Sequence, residues 1–128
     1  MELDPKAFRK MAVMGASASR SRYGNIIVRD LKRKGHEVYP VNPDLDEVEG
    51  LKCYPSLEDL PKDVELLIFV VPPSVGLQET KKAVSLRYKR LWFQPGAESE
   101  EIANFLKGLK KQGVEHFLYR CVMVETNV

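Results

Sequence analysis

The stretch Met11-Ala-Val-Met-Gly-Ala-Ser-Ala-Ser-Arg-Ser-Arg-Tyr-Gly-Asn25 passes from a short apolar segment, through small residues and two arginines, into a segment with helical spacing. That order spells strand, tight turn and helix N-terminus. Met11 to Met14 is the strand, Gly15 to Ser19 the turn, and Tyr23, Ile27 and Leu31 recur four apart with Ile26 and Val28 beside them. Small side chains let an anion approach the main chain, and the N–H groups of a helix start carry partial positive charge. The stretch is therefore a candidate phosphate cradle, with Arg20 and Arg22 as nearby cations. Lys32, Arg33 and Lys34 in the last turn and Gly35 just past it close the helix.

The rest of the chain repeats the alternation. Asp4-Pro5 starts a short leading helix, with Asp as cap and Pro at the first helical position. His36 to Val41 reads as a second strand ended by Asn42-Pro43, and Asp44 to Pro61 as irregular, with Cys53-Tyr54 briefly extended and one helical turn capped by Ser56. Leu66 to Val71 is six apolar residues without alternation, the pattern of a parallel strand covered on both faces. Pro72-Pro73 stops it, and Ser74 caps a helix running to about Leu86. Arg90 to Gln94 is the next strand, followed by Pro95-Gly96. A helix with Ile102, Phe105, Leu106 and Leu109 on one face follows, with Glu98, Glu100 and Glu101 at its start and Lys107, Lys110 and Lys111 towards its end. Gly113 ends it, and His116 to Tyr119 is the last strand, leading through Arg120-Cys121 into a short tail.

Strands alternating with helices of about ten residues imply right-handed βαβ crossovers. The expected fold is α/β: a Rossmann-like, doubly wound, mainly parallel five- to six-stranded sheet with helices on both faces. In such sheets ligands bind outside the carboxyl ends of the strands, where strand order reverses.

The totals narrow the function. A chain of 128 residues is the size of one domain and leaves no room for a separate catalytic one, so a single unit over residues 1–128 is expected. Twenty Lys and Arg against 18 Asp and Glu give a net charge of +2, too balanced to argue for nucleic acid or membrane by charge alone, so neither is expected as a partner and any anion site must be local. The first ten residues hold no apolar core of signal-peptide length and no run approaches the roughly 18–20 residues of a membrane span, so a cytoplasmic location is expected. Cys53 and Cys121 are then expected as free thiols, and no short-spaced Cys/His pair suggests a metal.

The dinucleotide fingerprint G-x-G-x-x-G, with an acid after the second strand, is only partly met. Ser17 stands where the second glycine belongs, and Asn42-Pro43 ends the strand with Asp44 and Asp46 only later. An NAD(P)-binding oxidoreductase or sensor remains an alternative. A neutral Asn42 does not repel a further phosphate, and Arg20 and Arg22 can neutralise a pyrophosphate, one of them being expected to touch it.

Taken together, Gly15-Ala-Ser17, Tyr23-Gly24, Val38-Tyr-Pro-Val-Asn-Pro43, Gly50-x-x-Cys53-Tyr54, Ser56-Leu57, Val71-Pro-Pro73, Trp92-x-Gln94-Pro-Gly96 and Arg120-Cys121 form a pattern over nearly the whole chain. It resembles the small stand-alone CoA-binding proteins, which are similar to the N-terminal CoA-binding domain of the succinyl-CoA synthetase alpha subunit. The resemblance implies coenzyme A or an acyl-CoA as ligand. It places Gly15, Ala16, Ser17 and Arg22 at the pyrophosphate, Asn42 and Pro43 beside the adenosine, Val71, Pro72 and Pro73 along the adenine or pantetheine, and Gln94, Pro95 and Gly96 lower in the crevice. It does not carry catalysis over: the synthetase's phosphorylated histidine belongs to a second domain, and neither His36 nor His116 lies in a matching segment.

The expected role is thus non-catalytic binding, with no enzyme activity of its own, as a homodimer or beside an acyl-CoA ligase partner chain. Several residues stay open between readings: Tyr23 as core or ligand contact, and Cys121 as an inert thiol or a reaction partner of the CoA thiol. Trp92 and Phe93 read as core, His36 as exposed.

Overall fold

A computed structural model of the chain describes residues 4–127; Met1, Glu2, Leu3 and Val128 lie outside the described residues. Five parallel strands make the sheet: β1 (Lys10–Met14), β2 (Glu37–Val41), β5 (Leu66–Phe69), β6 (Arg90–Phe93) and β7 (Glu115–Phe117). Between β2 and β5 the chain adds a two-stranded hairpin, β3 (Glu47–Val48) and β4 (Leu51–Lys52). The order across the main sheet is β2-β1-β5-β6-β7, so winding reverses between β1 and β5. That reversal is where the fold class puts its ligand.

Successive residues of each strand point to opposite faces, and each face has its own helices. Met11, Val13, Leu66, Ile68 and Trp92 pack against α1 (Tyr23–Arg33) and α4 (Val122–Glu125) through Ile27, Val28, Leu31 and Val122. Ala12, Met14, Leu67, Phe69, Leu91 and Phe93 pack against α2 (Pro73–Ser85) and α3 (Glu100–Lys107) through Ala83, Ile102 and Leu106. The rings of Phe69 and Phe93 stack at 4.6 Å on one face, and those of Trp92 and Phe117 at 4.9 Å on the other. Burying each large apolar side chain contributes about 1.5–3 kcal/mol, which is why the uniformly apolar β5 sits at the centre. No described helix is long and apolar enough to cross a membrane.

Local chemistry moves several boundaries from their expected places. The strand expected over Leu66 to Val71 ends at Phe69, leaving Val70 and Val71 in the loop. Helix α2 is started by Pro72 and Pro73, while Ser74 makes no cap. Helix α3 is capped by Ser99, whose Oγ accepts from the Ile102 N–H, and stops at Lys107 because Gly108 follows, with Lys110 to Gln112 as a separate 3₁₀ turn. The last strand is Glu115–Phe117, shifted from His116 to Tyr119, since Tyr119 adopts φ 67° and cannot continue it. Ser56 precedes a 3₁₀ turn without capping it; its Oγ donates to Asp59 instead. His36 is half-buried rather than exposed, its Nδ1 lying 2.8 Å from the Phe8 carbonyl.

The helix α4 was not expected, and Lys34 secures it. Its ammonium donates to the Met123 carbonyl (2.6 Å) and Thr126 Oγ1 (3.0 Å), and lies 2.7 Å from Asp30 Oδ2. Burial pushes the Asp30 carboxyl up, but hydrogen bonds from Lys34 and Arg33 outweigh it and hold the group below its ordinary value. A depressed carboxyl contributes stability above its unfolded value of about 3.9, and this is lost as pH falls through the lower folded value. Asp30→Asn is expected to cost about 1–3 kcal/mol at neutral pH and to flatten the acid slope of stability. Urea unfolding at pH 7 and pH 3 measures both effects; parallel losses in variant and parent on acidification would remove the pair from this account.

Candidate anion-binding cleft

Two glycines bring the loop after β1 against its neighbours. Gly15 has φ 91°, and a Cβ there would lie 2.8 Å from the Val70 carbonyl oxygen and from Val71 Cγ1. A Cβ on Gly24, in the first turn of α1, would lie 2.0 Å from the Gly15 carbonyl oxygen. The helix therefore starts directly on the end of β1, at the point where strand order reverses.

This loop leaves donors unused. The amides of Ser17, Ala18, Arg20, Ser21, Tyr23 and Gly24 make no hydrogen bond to a described residue. Arg22, the residue preceding α1, has an exposed guanidinium that likewise makes no hydrogen bond or ion pair to a described residue. Free N–H groups, the positive end of an eleven-residue helix and an uncommitted guanidinium together favour a bound anion.

The space in front of them has two lobes that share Arg22, Tyr23 and Val70. A polar lobe of about 450 Å³ is lined by Gly15, Ala16, Ser17, Ser21, Gly24 and Asn42. An apolar lobe of about 560 Å³ is lined by Ile27, Val71, Pro72, Pro73, Pro95, Gly96 and Ala97, with Gln94 and Cys121 as its polar atoms. Both volumes are in the range of small-molecule sites.

Several of these side chains brace the cleft. Asn42 Nδ2 donates to the Ala16 carbonyl (2.8 Å) and its Oδ1 accepts from the Asp44 N–H (2.8 Å), tying the end of β2 to the loop. Buried Gln94 accepts at Oε1 from the Val122 N–H (2.6 Å) and Trp92 Nε1 (3.2 Å), and its Nε2 lies 3.3 Å from Cys121 Sγ. It joins α4 to the sheet and sets Cys121 on the wall. Cys121 and Cys53 are both free; burial pushes the Cys53 thiol up.

The two arginines part company. Arg22 faces both lobes, whereas Arg20 lies on the outer face of α1 beside Arg29 and Arg33, its Nε 3.4 Å from Glu49 Oε2. Pro43 is exposed and lines neither lobe. Tyr23 is 67% exposed, so it is not core; its ring stands at the mouth. Sequence reading missed Val70, Ala97, Ser21 and Ile27 on the walls, and the fully buried Asn25 behind them. Asn25 offered a signal, a short polar side chain two residues into a helix on its apolar flank.

A family model described as a CoA binding domain matches residues 9–127. The chain belongs to the CoA binding domain family. A solved structure of a conserved hypothetical protein from Pyrococcus furiosus is similar to this family member over 93% of this chain and 100% of its own, with 61% identity and a TM-score of 0.87. The acetyl-coenzyme A synthetase 1 of Ca. Korarchaeum cryptofilum, solved with phosphate and ADP, matches over 91% of this chain and 27% of its own, with 28% identity and a TM-score of 0.73. The alpha subunit of the ADP-forming acetate–CoA ligase II of Pyrococcus furiosus is 43% identical over 65 residues, 50% of this chain and 14% of that protein. This CoA-binding domain spans about a tenth of the length of the ADP-forming ligases it matches.

Gly24→Ala tests the junction. The added methyl must displace the Gly15 carbonyl, so a loss of more than about 2 kcal/mol is expected. Thermal denaturation reads it, and an unchanged midpoint would mean that the contact relaxes without cost.

Proposed function

We propose that this protein binds coenzyme A or an acyl-CoA without transforming it. The observation that carries the reading is the set of uncommitted loop amides around Arg22 at the start of α1, opening into an apolar lobe. Phosphates of the coenzyme sit on Ser17, Ala18, Ser21 and Arg22, and the apolar lobe between Val71-Pro72-Pro73 and Pro95-Gly96-Ala97 takes an organic arm. Family membership and the acyl-CoA ligases among its relatives support the choice of ligand. Both histidines stand away from the cleft: His36 is bonded to the Phe8 carbonyl and His116 lies on the edge strand β7. The likeness to ligase subunits favours a second role, in which this chain supplies a CoA site to a separate ligase chain.

A ligand that binds only the folded state raises its stability. CoA and acetyl-CoA are expected to raise the melting temperature where NAD and NADP do not; the reverse would replace the proposal with a nicotinamide site. Arg22→Ala is expected to weaken CoA binding about 10- to 100-fold, the range of a charged hydrogen bond, and Arg20→Ala far less. Calorimetric titration compares them, and equal losses would mean that the two arginines have been wrongly separated. Co-purification of a large ligase chain with tagged protein tests the second role; its absence at native expression would leave binding alone.

A further inference from the structure

Behind the loop that carries the free amides lies a closed set of polar contacts reaching into the β3–β4 hairpin. Asn25, with no exposed surface, donates through Nδ2 to the Ser17 carbonyl (2.9 Å) and to Glu49 Oε2 (3.0 Å). Its Oδ1 accepts from Arg29 Nε (2.7 Å), and Arg29 donates again to the Arg20 carbonyl (2.7 Å). Two carbonyls of the loop are thereby turned towards α1. In a trans peptide the C=O and the following N–H point in opposite directions, so the N–H groups of Ala18 and Ser21 are turned away from α1, and Ser17 and Ser21 line the polar lobe. Neither makes a hydrogen bond to a described residue.

Glu49 is an unusual choice for this place. It sits at φ 50° beside Gly50 at φ 79° in the hairpin turn, a conformation that favours Asn or Gly. The hydrogen bond from Asn25 holds its carboxyl below the ordinary range, with the charges of Arg20, Arg29 and Lys32 adding to it. Lys32 Nζ also donates to its carbonyl (2.9 Å), fixing the turn against α1.

We propose that Glu49 is a positioning residue for the anion site: through Asn25 and Arg29 it holds the Ser17–Ser21 loop with its carbonyls tied back and its amides presented to phosphate. The inference rests on the coenzyme reading above. It makes an acid beside an anion site favourable to binding, because its contribution runs through the shape of the loop and exceeds its direct repulsion. Coulombic reasoning alone gives the opposite sign, since removing a half-buried carboxylate near a phosphate relieves a repulsion that solvent only partly screens.

The two signs separate in one series. Binding of CoA, adenosine 3′,5′-bisphosphate and pantetheine is measured by calorimetry on the full chain and on Glu49→Ala and Glu49→Gln, with thermal melting as the check on folding. Glu49→Ala is expected to bind CoA and the bisphosphate about 5- to 20-fold more weakly and pantetheine unchanged, a loss comparable to one buried hydrogen bond. Glu49→Gln keeps an acceptor for Asn25 and is expected to stay within about twofold of the parent. Unchanged or tighter binding of the bisphosphate by Glu49→Ala overturns the positioning role, as does an equal loss for pantetheine. Should Glu49→Ala fail to fold, Arg29→Met decides in its place, with the same selective loss expected and bisphosphate affinity at the parent's level overturning the role. No binding of CoA by the parent protein sinks the coenzyme reading, and the positioning role with it, whereas parental binding left intact in the variants sinks only the latter.

Discussion

The structure depends on the contact between the end of β1 and the start of α1. Gly24 lets the helix begin against the Gly15 carbonyl, and Gly15, in a left-handed conformation, lets the same turn lie against Val70 and Val71 beyond β5. These two approaches bring three elements together at the one place where the sheet changes direction. The cleft exists because neither position carries a side chain. With a Cβ at either, the helix N-terminus would stand away from the loop, and its unpaired amides would face water rather than a walled site.

The site built there is prepared by neighbours whose side chains are already satisfied. Asn42 holds Ala16, Gln94 holds α4 and the wall carrying Cys121, and Asn25 holds Ser17. Each is a polar side chain, buried or partly so, with its partners in place, and such networks favour one arrangement over near alternatives. What makes no bond to a described residue is the set of groups suited to an anion, the loop amides and Arg22. This division between bracing and open groups suits a protein that holds a ligand. It also agrees with membership of the CoA binding domain family, whose larger relatives carry other regions alongside this one.

Much of this was legible in the residues because the signals are local. Gly15 to Gly24 showed a turn between strand and helix, the apolar run from Leu66 marked the central strand, and alternating elements implied parallel pairing. The hairpin of β3 and β4 was not legible. Its strands have two residues each, its turn carries Glu49 where Asn or Gly is the usual sign, and no periodicity survives over so short a span. α4 was hidden for a related reason: four residues rich in Val have weak helix preference, and the segment is held by Lys34 and Gln94 from distant parts of the chain.

The residues by themselves determined the order of elements, the parallel sheet and the small, glycine-bearing character of the loop after β1, because propensity, apolar spacing and glycine placement act over a few neighbours. Only the tertiary structure decided which arginine faces the cleft, that Asn42 and Gln94 act as braces, and that Glu49 reaches the loop at all. Those outcomes are set by contacts between residues far apart in the chain, such as Asn25 with Glu49 and Gln94 with Val122, and spacing along a sequence carries no record of which distant partner satisfies a polar group.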